Sequence, residues 1–318
     1  MISFDEFSRS VKEQLEIMNP EAEVVIRKVN KNNVQKSAIS IIDKGDNSVV
    51  SVDGTEVVAT PAFYLEELYS DDMSSEDITL AAICIHNNNK ESKISTAELE
   101  LVKLIKEFDR AKELLVFQLI NTEKNKELLK KIPHRPFLDM SIVYRMVVSI
   151  EDNQIASILI TNDVLKEWGV TEADLWKTAE ENTPKLHPAV CTGMNQLLEM
   201  LLDEGEFKKV VKIVGDTAIE DDSMIVVSNI YHNMGAAVIL YKDILESIYK
   251  MTKHDLYIIM NSVNEFIVFS NGDKKKVDIE DLRTMTKIIN STMLSEEEVL
   301  SDEVYHYDGE TKELTVVK

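Results

Sequence analysis

Met140-Ser141-Ile142-Val143-Tyr144-Arg145-Met146-Val147-Val148-Ser149-Ile150 is the stretch on which the fold class turns. It is crowded with β-branched residues, so it reads as a strand. The polar turn Glu151-Asp152-Asn153 follows, and then a second apolar run from Ala156 to Thr161. Two extended runs joined by a short turn predict an antiparallel hairpin. A helix from Asp163 completes a hairpin-then-helix (ββα) unit, and a further helix follows Thr171, whose pairing with Asp174 has the spacing of a capping box. Asn182-Thr183-Pro184 is expected to end that helix.

The same order recurs downstream. Ser223 to Ser228 reads as a strand, Gly235 to Leu240 as its partner, and Asp243 as the opening of a helix. Ile158 to Leu165 aligns with Val238 to Leu245, and Asp174-Leu175-Trp176 with Asp255-Leu256-Tyr257. The alignment predicts an internal ββα repeat over 140–176 and 223–257. The aspartate at each helix start suits an N-terminal cap and the helix dipole. Sequential hairpins imply mostly antiparallel pairing, so the expected class is α+β.

Outward from this centre, Leu114 to Ile120 reads as a strand and Asn125 to Lys131 as a short helix. A helix is expected over Asn195 to Leu202. Asp255 to Asn261 and Glu265 to Ser270 read as strands, Asp278 to Asn290 as a helix, and Val304-Tyr305-His306-Tyr307 with Leu314 to Val317 as a closing hairpin. Ser295 and Glu298 have capping-box spacing.

The N-terminal part has its own pattern. Ser3 and Glu6 form a capping box, and Phe4, Phe7, Val11, Leu15 and Met18 repeat at helical spacing. Glu23 to Val29 and Ser37 to Ile42 predict a hairpin about Lys31-Asn32-Asn33. Pro61 to Tyr69 is expected to be helical, as is a segment capped by Ser74 and Asp77 that runs to His86. Asn87 to Lys93 reads as a polar loop, and Thr96 to Phe108 as a helix. A smaller helical and hairpin module over 1–110 and a larger α+β domain over 111–318 follow as the expected domains.

Composition narrows the function classes. With 57 acidic and 35 basic residues the formal charge is −22. Such a field repels phosphates of nucleic acid and anionic lipid heads, so neither direct nucleic-acid binding nor membrane binding is expected. Lys274-Lys275-Lys276 beside Asn271-Gly272-Asp273 is the densest basic run and reads as a hairpin tip. The two cysteines, Cys84 and Cys191, are far apart in the chain, which suits a reducing compartment. Cys84 lies in the apolar run Leu80 to Ile85 and is expected in the core. No stretch has the length or apolarity of a membrane span, and Met1 to Glu6 does not resemble a signal peptide, so the cytoplasm is the expected compartment.

Motifs that carry chemistry are sparse. There is no glycine-rich phosphate loop, no nucleophile elbow and no HExxH, and the six histidines show no metal-ligand spacing. Neither a metal nor a cofactor is expected. The candidate site is Ile132-Pro133-His134-Arg135-Pro136-Phe137-Leu138-Asp139. Two prolines stiffen a segment that presents an imidazole, a guanidinium and a carboxylate from His134, Arg135 and Asp139, a set suited to an anion or a peptide terminus. The bland alternative is a turn in which Arg135 and Asp139 pair with each other. Ser262, in Asn261-Ser262-Val263-Asn264-Glu265, has no local base and reads as part of a turn. Tyr144, Trp168, Trp176 and Tyr241 read as packing aromatics.

Several stretches taken together resemble an uncharacterised domain family of anaerobic Gram-positive bacteria, common among gut Clostridia. They are Glu123 to Leu129 with Pro133 to Asp139; Ile160-Thr161-Asn162, Trp168 to Thr171 and Glu181 to Pro184; and Gly235 to Leu240 with Val299 to Tyr305. The resemblance implies a bacterial cytoplasmic protein with no established activity. Where that family often has a histidine in the turn after Ser262, this chain has Asn264, so the resemblance carries no active site here.

Three functional readings follow. The first is a non-enzymatic module that binds a protein or peptide through a groove or sheet edge. The second is a hydrolase-like enzyme built on His134, Arg135 and Asp139. The third is an acidic mimic of nucleic acid that inhibits a DNA-binding protein.

Overall fold

Ser3 starts the first helix by reciprocal capping. Its backbone N–H donates to Glu6 Oε2 at 3.1 Å, and the Glu6 N–H donates to Ser3 Oγ at 3.3 Å. A computed structural model of the chain describes residues 2–43, 49–52, 55–58, 61–91, 107–151, 154–193, 224–270 and 277–318. It divides into two compact units, Met1–Glu107 and Phe108–Lys318.

In the first unit, α1 (Phe4–Met18) buries Phe7, Val11 and Leu15 along one stripe. β1 (Ala22–Asn30) and β2 (Gln35–Asp43) form an antiparallel hairpin, and β3 (Val49–Val52) and β4 (Thr55–Val58) form a second. β5 (Phe63–Tyr64) pairs with β2 through Ile39 and Ala38 and runs into a 3-10 turn, Leu65–Glu67. The helix expected over Pro61 to Tyr69 is therefore absent: pairing with β2 outweighs the helical spacing of Phe63, Leu65 and Leu68. α2 (Ser75–Glu91) is capped by Ser74 and Asp77 as expected. It also absorbs Asn87 to Glu91, read above as loop, since no glycine or proline interrupts them. Val24, Ile39, Ile41, Ile78, Ala82 and Ile85 close the core over α1. Cys84 is exposed rather than buried, because Ala81, Ala82 and Ile85 take the inner stripe of α2.

The second unit opens with α3 (Phe108–Ala111) and a 3-10 turn, Lys112–Leu114, before β6 (Leu115–Asn121). α4 (Lys126–Leu129), β7 (His134–Phe137), β8 (Met140–Glu151) and β9 (Gln154–Leu159) follow. β8 is the spine of a four-stranded antiparallel sheet, with β6 on one edge and β7 and β9 in succession on the other. α5 (Asn162–Trp168) ends at Gly169, whose φ of 66° places it in the left-handed region. α6 (Glu172–Leu186) has the expected Thr171–Asp174 capping box and lays Leu175, Ala179 and Thr183 inward. It continues two residues past Pro184, where a proline in the last turn disturbs few helical bonds.

β10 (Ala189–Gly193) and β11 (Met224–Asn229) begin a six-stranded antiparallel sheet. The 3-10 segment Gly235–Leu240 and α7 (Ile244–Thr252) lead to β12 (Leu256–Ile259) and β13 (Phe266–Ser270). α8 (Ile279–Thr292), capped by Asp278, precedes the closing hairpin of β14 (Val304–Asp308) and β15 (Glu313–Val316). The order across the sheet is β10-β11-β13-β12-β14-β15. Leu282 of α8 packs on Ile259 and Val304 to cover one face. The Ser295 N–H and hydroxyl both donate to Glu298 Oε2, but the Glu298 N–H donates to the Ser295 carbonyl and not to its side chain, so the pair closes a turn rather than capping a helix.

The second ββα unit does not form. Gly235 to Leu240 is a 3-10 helix, and β11 pairs with β10 and β13 instead. The run Gly235 to Ile239 is buried all round, and a short run of that kind carries no periodicity to separate strand from helix. His232 and Met234, at φ of 49° and 55°, turn the chain out of the extended path. Asp243 is itself left-handed and makes no capping bond. The helices expected over Thr96 to Phe108 (but for its last two residues) and Asn195 to Leu202, and the lysine turn at 274–276, lie outside the described residues.

Gly235 is held in a tight bracket. A Cβ there would lie 2.1 Å from Ser228 Oγ, 2.3 Å from the Asn264 carbonyl and 2.8 Å from the Asn229 amide nitrogen. Two of those neighbours are backbone and cannot yield cheaply. Gly235→Ala is therefore expected to destabilise the protein by about 3 kcal/mol, read as a lower midpoint in urea unfolding.

Candidate functional site

The segment from His134 to Asp139 is a strand and a tight turn, and its three candidate side chains go to three different places. Strand β7 pairs Arg135 with Ile142 of β8, which puts Arg135 on the sheet face that also carries Tyr144 and, through β6, Phe117. α6 covers this face. Its first residue, Glu172, meets Arg135 with two parallel bonds, Nε to Oε1 and Nη2 to Oε2, each 3.1 Å. The Tyr144 hydroxyl also donates to Glu172 Oε1. The guanidinium lies 4.6 Å from the ring centroid of Trp176, one turn along the helix, and Trp176 stacks in turn on Phe117 at 5.7 Å. The bond to Glu172 raises the Arg135 pKa, and burial followed by that same carboxylate raises that of Tyr144.

Asp139 is bound elsewhere, so the Arg135–Asp139 pairing considered from the sequence does not occur. Leu138 takes a left-handed φ of 56° at the tip of the β7–β8 hairpin, which turns Asp139 toward the six-stranded sheet. Asp139 Oδ1 accepts from the Tyr305 hydroxyl at 2.6 Å and Oδ2 from Ser301 Oγ at 2.7 Å. Tyr305 and Ser301 are fully buried, and burial with the adjoining carboxylate raises the tyrosine pKa. His134 is exposed on the opposite face from Arg135, with Nδ1 3.1 Å from the Ile132 carbonyl oxygen. The trio read from the sequence is thus not one assembled centre.

Ser262 is likewise committed to structure. Its Oγ accepts the Asn264 N–H at 3.0 Å. Asn264, at the position where the resembling family often has histidine, accepts the Met234 N–H at 3.1 Å and holds the 3-10 segment in place. Among the described residues no group of three or more His, Cys, Asp or Glu side chains is arranged to hold a metal ion.

A cleft that sequence reasoning missed runs along the outer side of α6. It encloses about 570 Å³. One wall is the helical stripe Asp174, Lys177, Thr178, Glu181 and Lys185, the other is Lys112 and Glu113, and Phe108 and Val170 supply apolar contact. The Asn182 side chain donates to the Lys112 carbonyl at 2.6 Å and ties the walls together. Four lining charges are committed: Asp174 to the helix cap, Lys112 to Asp109 at 2.8 Å, and Lys185 and Glu181 to each other at 3.7 Å. Lys177 and Glu113, one on each wall, have no ion-pair partner among the described residues. The i, i+3, i+4, i+7, i+11 spacing of the stripe was visible in the sequence; the opposite wall was not.

With this geometry in view, comparison places the chain. A family model matches residues 4–309. The chain belongs to DUF5688, a family of unknown function. No curated protein and no solved structure matches it. In this DUF5688 member no helix among the described residues is long and apolar enough to cross a membrane.

Two measurements check these assignments. Tyr305→Phe removes one of the two hydroxyls on Asp139 and is expected to cost about 1–3 kcal/mol in urea unfolding. His187, at the end of α6, is 1% exposed and its Nε2 finds no partner among the described residues. Burial pulls its pKa down to about 4. The unfolded chain takes up this proton near pH 6.5 and the folded chain only near 4, so stability is full above 6.5 and falls between those values. The expected loss is about 3 kcal/mol, and His187→Gln should remove that part of the pH dependence in unfolding measured from pH 7 to 4.

Proposed function

We propose that this protein is a non-enzymatic module that binds an extended segment of a partner protein in the cleft along α6. The observation that carries the reading is the cleft itself, in which Lys177 and Glu113, neither in a close ion pair among the described residues, stand on opposite walls beside the apolar Phe108 and Val170. Asp174 to Lys185 spans about 16 Å of helix, which matches about five residues of extended chain. The volume is that of an ordinary ligand cleft. Walls of mixed charge favour a segment that carries both signs around an apolar side chain, and they discriminate against a segment of one sign.

The catalytic alternative has less support. Arg135 is charge-paired with both oxygens of Glu172, and Asp139 is bonded to two buried residues. Neither is placed with His134 to act on a common substrate atom.

Selection of displayed eight-residue peptides on the full-length protein tests the proposal. Recovered peptides are expected to combine an acidic, an apolar and a basic residue, and Lys177→Glu and Val170→Asp are each expected to weaken them about tenfold. Peptides that bind both variants as tightly as the parent protein would remove the cleft as their site.

A further inference from the structure

Helix α2 carries apolar side chains on two sides. Its inner stripe, Ile78, Ala81, Ala82 and Ile85, is buried in the core of the first unit. On the outer side Leu80 is 57% exposed and Ile83 39%, and Cys84 beside them is exposed as well. A single exposed leucine is ordinary on a protein surface. The setting of this one is not. Glu76, Leu80, Ile83, Asn87 and Lys90 are all exposed, and they follow one another at steps of four, three, four and three residues. That is the spacing of a coiled-coil seam, which keeps one line of side chains turned toward a second helix.

The charges along the seam select how a second helix lies on it. Glu76 stands in the first turn of α2 and Lys90 in the last, and neither is in an ion pair among the described residues. A second α2 laid parallel and in register sets Glu76 against Glu76 and Lys90 against Lys90, which is repulsive at both ends. Laid antiparallel, it sets Leu80 against Ile83 of the copy and Ile83 against Leu80. Glu76 then meets Asn87 of the copy, with Lys90 one turn, or about 4.5 Å, further along the axis. Unlike charges come together at both ends, and the helix dipoles oppose one another. The two apolar layers lie at the two-fold axis, so the contact uses the same patch on both copies and closes with two.

We propose that the outer stripe of α2 is a homodimer interface, in which it pairs antiparallel with the same stripe of a second copy of this chain. A contact of a few helical turns is small, so the dissociation constant is expected on the order of 10 μM. The seam lies in the first unit and does not depend on the cleft along α6.

Sedimentation equilibrium of the full-length protein, from tenfold below that concentration to tenfold above it, tests the interface. The expected result is a reversible equilibrium of monomer and dimer. Ile83→Asp places two like charges at the axis and is expected to weaken the dimer more than about thirtyfold. Glu76→Lys and Lys90→Glu are each expected to weaken it about fivefold, and the double variant to restore it, because the two end contacts are then reversed together. The antiparallel arrangement brings the two Cys84 Cα atoms within about 12 Å, so a bismaleimide of that reach, followed by peptide mapping, is expected to join Cys84 to Cys84. All of these positions are exposed, and an unchanged urea midpoint checks that each variant folds. A protein that stays monomeric throughout, its stripe left to another protein or another segment of the chain, overturns the proposal. So does a dimer that Ile83→Asp leaves intact. A dimer that Ile83→Asp breaks but the double charge reversal does not restore overturns the antiparallel pairing.

Discussion

The Asp139 carboxylate is the joint on which the arrangement of the second unit depends. It sits at the tip of the β7–β8 hairpin and accepts from two side chains of the other sheet region, Ser301 and Tyr305. A carboxylate withdrawn from water is tolerable only if its oxygens are supplied with donors. These donors come from residues 162 and 166 positions further along the chain, so the site is satisfied only when the two sheets meet in one way. The Asn121 amide donates to the Leu300 carbonyl at 2.9 Å and reinforces the same joint. Apolar packing alone would tolerate sliding between the sheets; directed bonds from two buried hydroxyls to one carboxylate do not.

The two arginines of the central sheet show what this satisfaction means. Arg135 is paired on both oxygens of Glu172 and stacked on Trp176, a complete structural assembly. Arg145 reaches only a hydroxyl and a carbonyl of Ser157. The same residue type on opposite faces of one strand pair thus divides into a group whose electrostatics are closed and a group whose electrostatics are open. In the cleft along α6, Asp174 serves the helix cap, Lys112 pairs with Asp109, and Lys185 pairs with Glu181, which leaves Lys177 and Glu113 without a close ion pair among the described residues.

The acidic balance of −22 belongs to the surface as a whole and says little about either site. It discourages phosphate-rich partners at long range. At short range, contact bonds override it, because screening in water weakens distant charge far more than contact bonds.

Local signals in the sequence were sufficient for the class, most strands and the helix starts. Dense β-branched residues give strands such as β8, and Ser or Thr three residues before Asp or Glu closes the caps at Ser3, Ser74 and Thr171. The partly buried arginine was also on view, as the one charge within Met140 to Ile150. Tertiary structure decided everything that depends on a partner distant in the chain. It made a strand of Phe63-Tyr64, a 3-10 helix of Gly235 to Leu240, and separate attachments of Arg135 and Asp139. The physical reason is range. A cap or an alternation is fixed by bonds within a few residues, whereas the partner of a buried charge or a short apolar run is chosen by which surfaces the whole chain brings together.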